Sequence, residues 1–123
     1  VQQRRSNALY VNDGVYGALS DAGAPGFRFP HRLIPSNGRQ PSARAEEFIL
    51  FGPTCDSADI MKGPWTLPSD VCEGDWIEIG QLGAYGTALR TAFNGFDRAF
   101  VAEVADAPLL MNPTYNLNAA RVA

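Results

Sequence analysis

Cys55 and Asp56 stand side by side in "FGPTCDSAD", residues 51–59, and Asp59 follows three residues after Asp56. A thiol beside a carboxylate can deliver a proton and hold a cation at neighbouring atoms. The thiol titrates close enough to neutrality to give up its proton, while the carboxylate stays ionised. The same residues also read as a cysteine packed at a strand end, and both readings stand at this point. Nothing around Cys55 has zinc-ligand spacing. Two other turns carry comparable groups: "NDGVYG" (12–17) with Asp13 and Tyr16, and "GAYGTALRTAFNGF" (83–96) with Tyr85, Arg90 and Phe93. Each supplies glycines, which let a backbone approach a ligand closely or take positive φ.

Turns of this kind need a rigid frame, and the chain reads as mostly strand. "NALYV" (7–11) is a short apolar run stopped by "NDG", a strong turn signal. "EEFILFG" (46–52) is bounded by charge and Gly-Pro, long enough for a buried strand and too short for a helix. "DWIEIG" (75–80) sets Ile77 and Ile79 on one face and Trp76 and Glu78 on the other. "RAFVAEVA" (98–105) repeats that period with Phe100, Ala102 and Val104. "FRFPHRLI" (27–34) predicts an edge strand, because Pro30 cannot donate to a ladder. Thr87–Ala92 is the one short helix expected. The fold predicted is a mostly β, antiparallel Greek-key-like barrel or sandwich with long loops. Residues 108–123 lack periodicity and predict a weakly ordered tail.

Composition narrows the function classes. A chain of 123 residues is one domain by length and can bury a core without staples. Its net charge of −3 argues against nucleic acid as a partner, since phosphate binding needs a basic face. The longest apolar runs, such as "FILF" (48–51), are too short to span a bilayer, so no membrane partner is expected. No charged, apolar and cleavage-site regions open the chain, and no secretion signal is expected. Cys55 and Cys72 lack framework spacing, which predicts a cytosolic protein with free thiols. Cys72 in "DVCEGD" reads as a core residue, His31 as a solvated surface histidine, and Trp65 and Trp76 as packing residues. Arg90 reads as solvated or ion-paired, and Asp13 as part of its turn.

Taken together and in order, "YVNDGVYG", "GPTCDSAD", "EGDWIEIGQLGAYG" and "FNGF" give the chain its resemblance to a known family. It resembles the C-terminal β-domain of the fold-type III decarboxylases that use pyridoxal phosphate, the ornithine, lysine, arginine and diaminopimelate group, over residues 8 to about 105. Aspartate after the cysteine looks like the ornithine and lysine branch; the diaminopimelate enzymes typically show Cys-Glu-Ser there. The resemblance implies that Cys55 is the catalytic cysteine that returns a proton to Cα after carbon dioxide leaves. It implies that Asp56 holds the distal ammonium, that Tyr85 reaches the cofactor phosphate, and that Tyr16 and Phe93 line the site at a dimer interface. Asp59 matches an acidic residue that pairs with a lysine of the barrel domain across an interface.

The resemblance further implies a homodimer with shared active sites, a small diamino acid substrate and, for the ornithine branch, putrescine as product in polyamine biosynthesis. In the family, pyridoxal 5'-phosphate sits on a Schiff-base lysine in an N-terminal TIM-like barrel. Lys62, the only lysine here, does not match that motif. The chain therefore reads as the C-terminal domain of a larger two-domain enzyme, expected inactive alone. A second aspartate expected about eight residues past "VYG" is missing: in "ALSDAGAPGF" Asp21 comes early and Ala24 sits near the place. This leaves lysine, or broader diamino acid specificity, as an alternative to ornithine. A decoy without activity is a further alternative, against which the trio Cys55, Asp56 and Tyr85 argues.

Overall fold

The computed structural model describes residues 1–111, and they are mainly strand, as expected. Six strands run in chain order: β1 (Gln3–Arg5), β2 (Ala8–Tyr10), β3 (His31–Ile34), β4 (Ala45–Phe51), β5 (Ile60–Pro68) and β6 (Trp76–Ile79). They form two sheets, one of four strands in the order β1-β2-β4-β5 and a second pairing β3 with β6. The sheets do not close into a barrel, and the pairing is not wholly antiparallel. β2 runs parallel to β4, with Tyr10 opposite Phe51. A parallel pair needs a long crossover, and residues 11–44, which include β3, provide it.

β4 is one of the two inner strands of the four-stranded sheet, paired on both edges, and turns Phe48 and Leu50 inward at the period of two. Leu9, Phe48, Leu50, Met61, Leu67 and Val71 are fully buried. Burying a side chain of this size contributes about 1.5–3 kcal/mol relative to leaving it exposed. β5, the longest strand, falls where Gly63-Pro64 reads as a break. The ladder resolves the conflict by shifting register: Phe48 faces Trp65, but Leu50 faces Met61. Lys62, Gly63 and Pro64 are thereby left out of the pairing, so the proline removes no ladder bond. Trp65 is buried as expected and donates from its indole to the Met61 carbonyl at 2.9 Å.

Several expectations give way. "RAFVAEVA" forms no strand; Phe100 is 108% and Val101 92% exposed. An alternating segment becomes a strand only with a partner to pair with. The helix, α1, spans Tyr85–Ala88, so it starts two residues before the range expected for it and stops four residues short of its end. The Thr91 N–H and hydroxyl both donate to the Tyr16 carbonyl, at 2.8 and 3.0 Å, which draws the chain out of helical geometry. Cys72 is exposed, because its neighbour Val71 fills the core position. Trp76 is exposed on the outer face of β6. His31 is not free in solvent: Nδ1 lies 2.8 Å from the Phe29 carbonyl, Nε2 lies 3.1 Å from the Thr66 carbonyl, and the ring meets the edge of Trp65. Residues 109–111 lean on Gly80 and Gln81, and the rest of the expected tail lies outside the described residues. Among the described residues no helix is long and apolar enough to cross a membrane.

One buried ion pair joins the two sheets' loops. The Arg39 guanidinium donates to both oxygens of Asp75, at 2.8 and 2.5 Å, and Asp75 is 1% exposed. The Cys72 and Ser36 N–H groups donate to the same carboxylate. Arg39, and then those backbone donors, hold Asp75 well below the usual carboxylate range against the opposing effect of burial. Its pKa is therefore lower in the fold than in the unfolded chain, which binds the proton more readily. The stabilisation is complete above about pH 4 and is lost as pH falls further. Urea midpoints measured from pH 7 to pH 2 are expected to fall steeply below that point. In Asp75→Asn they should start lower and fall less; an equally steep fall would remove Asp75 from the acid sensitivity.

Candidate functional site

Parallel pairing of β2 and β4 is what builds the site. Tyr10 and Phe51, the last residues of the two strands, are in register and their rings stack with centroids 5.2 Å apart. Both chains therefore leave the sheet at the same end, and the turns at 12–17 and 52–59 emerge side by side. They are bound by Asp59, 2% exposed, whose carboxylate accepts from the N–H of Val15 at 2.9 Å and from the N–H and hydroxyl of Thr54 at 3.2 and 2.7 Å. A Cβ on Gly14 or Gly52 would collide with this carboxylate, which explains both glycines. Asp59, expected at an interface, is thus engaged inside the chain. Each buried donor left without its acceptor would cost about 1–3 kcal/mol.

The third turn is tied to the other two by side chains. Asp13 accepts from the Gly14 and Ala18 N–H groups at 2.9 and 3.1 Å and from the Arg90 guanidinium at 2.7 Å. Arg90 is therefore ion-paired, and Asp13 organises its turn. Asn94 donates from Nδ2 to the Thr54 carbonyl at 2.7 Å. Phe93 lies against Tyr16, with ring centroids 4.4 Å apart. Together these contacts bring residues 12–17, 52–59 and 85–96 to one end of the four-stranded sheet.

Cys55 and Asp56 line a groove of about 570 Å³ whose walls include Tyr10, Phe51 and Phe96. Cys55 is exposed, with a backbone φ of +62° that turns its side chain out of the sheet end. Asp56 is half-buried, and one of its oxygens accepts from the Ala58 N–H at 2.7 Å. Tyr16 approaches the same carboxylate: burial first, and then hydrogen bonding to Asp56, raises its phenol above the ordinary value. That keeps the hydroxyl protonated as a donor. Tyr85 begins α1 with its ring 61% exposed and does not line the groove. Lys62 lines a separate depression beside Arg28 and Ser57. Among the described residues no cluster of three or more His, Cys, Asp and Glu could hold a metal ion.

The arrangement offers a thiol and a carboxylate on one face of a partly apolar groove. It suits a ligand with an apolar body and a cationic end. Reasoning from sequence missed Asn94, Phe96 and the Tyr10–Phe51 stack as parts of the site. "FNGF" carried the signal for the first two, since Asn-Gly marks a turn that needs positive φ. No local signal exists for the stack, which depends on strand register.

Comparison with known proteins gives a consistent picture. Residues 1–83 match the family described as "Pyridoxal-dependent decarboxylase, C-terminal sheet domain". The chain is 38% identical over 92 residues to decarboxylase flvG of Aspergillus flavus, covering 72% of this chain and 21% of that protein. It is 37% identical over 98 residues to ornithine decarboxylase of Schizosaccharomyces pombe, covering 71% of this chain and 21% of the relative. Among solved structures, it resembles the lysine/ornithine decarboxylase from Vibrio vulnificus complexed with cadaverine, with a TM-score of 0.66 and 30% identity. That likeness covers 86% of this chain and 28% of the other. The chain thus spans about a fifth of the length of the curated relatives it matches.

Proposed function

The chain belongs to the pyridoxal-dependent decarboxylase family, as its C-terminal sheet domain, and from that premise we propose that it supplies the proton-donating and amine-binding wall of a decarboxylase acting on ornithine. The observation that carries this reading is the placement of Cys55 and Asp56 side by side on one groove walled by Tyr10, Phe51 and Phe96. In the full-length protein, Asp56 accepts hydrogen bonds from the distal ammonium of the substrate. Its ordered neighbours Tyr16 and Ala58 fix the direction of that contact, and with it the reach of the substrate chain. The aromatic walls shed water from the methylene stem. Cys55 gives a proton from Sγ to Cα after carbon dioxide has left.

The residues present fit a pyridoxal cofactor as one wall of its site. The exposed Tyr85 phenol can donate to a phosphate oxygen, while no lysine lines the groove to form the imine. That lysine and the main phosphate contacts belong to a barrel domain elsewhere in the enzyme. When bound, the cofactor supplies the electron sink that decarboxylation requires. A homodimer in which each site takes its barrel from one subunit and this sheet domain from the other follows from the same reading, as does a cytoplasmic location.

Offering ornithine, lysine, arginine and meso-diaminopimelate separately to the full-length protein with pyridoxal phosphate tests the proposal. Putrescine as the main product is the expected result. Cadaverine would assign lysine, for which the absence of a second carboxylate from the groove beyond Asp56 and the buried Asp59 leaves room. No amine from any substrate would make the protein a decoy.

A further inference from the structure

Cys55 holds a backbone conformation that its own residue type does not favour. Its φ of +62° lies in the left-handed region, which residues with a Cβ leave unless neighbouring contacts hold them there. The peptide group joining Thr54 to Cys55 is held at its carbonyl by Asn94 Nδ2, at 2.7 Å, from a turn 40 residues away in sequence. Asn94 is itself left-handed, at φ +52°, which aims its amide at the cysteine turn. On the other side of the same residue, Thr54 is pinned by its N–H and hydroxyl to the buried Asp59 carboxylate. The Cys55 thiol has only a long 3.9 Å contact to the Pro53 carbonyl, so nothing in its own side chain sets its direction. Direction is set by the peptide plane, and the contact that reaches that plane from outside the turn is Asn94.

We propose that Asn94 is a positioning residue for the Cys55 proton donor: its amide fixes the Thr54–Cys55 peptide and so aims the thiol. The inference rests on the reading of Cys55 as that donor. Two variants of the full-length, cofactor-loaded protein test it. Asn94→Gly keeps the left-handed backbone accessible and removes only the amide. Asn94→Asp keeps the shape and replaces the donor with an acceptor facing the Thr54 carbonyl. Hydrogen exchange followed by mass spectrometry reads the turn without reference to activity. Exchange at residues 53–58 is expected to quicken in both variants, with peptides from β4 and β5 unchanged. Turnover should fall roughly 10-fold, the scale of one lost hydrogen bond, with KM little altered. The aldehyde-to-amine ratio should move toward that of Cys55→Ala.

Unchanged exchange at residues 53–58 in both variants would overturn the proposal. So would faster exchange with amine still the only product, which would leave Asn94 a structural tie alone. If Cys55→Ala itself leaves the product ratio unchanged, the donor role of Cys55 has failed and the inference falls with it, whatever the exchange data show.

Discussion

Cys55→Ala in the full-length, cofactor-loaded protein is expected to lower turnover on the order of 100-fold and to change what is made. A positioned proton donor contributes about 100- to 10,000-fold, and water entering the groove past the exposed turn should recover part of that. The second effect is the more diagnostic. Once carbon dioxide has left, a proton delivered by Cys55 to Cα would give the amine. A proton that arrived elsewhere would divert the cycle, and the carbon skeleton would be released as an aldehyde. With the thiol gone, aldehyde should appear in proportion to the diverted cycles, and the cofactor should be left in its amine form, visible in its absorbance. Clean amine at an undiminished rate would remove Cys55 from the mechanism.

Asp56→Ala should act on binding rather than on proton transfer. A hydrogen bond to a charged partner is worth about 1.5–3 kcal/mol, so KM for a diamino acid should rise about 10- to 100-fold. For the same acid lacking its distal amine, KM should hardly change, because that substrate places no ammonium at the carboxylate. The aldehyde fraction should stay low, which separates this variant from Cys55→Ala. Equal losses for both substrates would mean that Asp56 does not read the distal amine. The Tyr16 phenol, kept protonated by its surroundings, should lose its carboxylate partner in this variant and titrate nearer to its ordinary value.

Much of the frame was legible because it rests on local pattern. "NALYV", "EEFILFG" and "DWIEIG" became β2, β4 and β6 with little change, since a short apolar run between charge and Gly-Pro has one stable use. β5 was hidden because Gly63 and Pro64 interrupt its sequence, and only the paired strand shows the bulge that sets them aside. "RAFVAEVA" erred the other way: its alternation is genuine, but within the described residues nothing pairs with it. Cys72 and Trp76 were misplaced by one-residue matters of direction, which composition does not record.

The sequence by itself determined the chemistry available, the thiol, carboxylate and phenol on glycine-rich turns, and the order in which those turns occur. These depend on residue type and on neighbours along the chain. Tertiary structure alone decided that β2 and β4 run parallel, so that two turns some 40 residues apart leave the sheet at the same end. It also decided that Asp59 faces inward to bind them, and that Asn94 and Arg90 reach back from the third turn to close the cluster. Register and strand direction are settled by long-range pairing and shared burial, and no window of the sequence contains both partners.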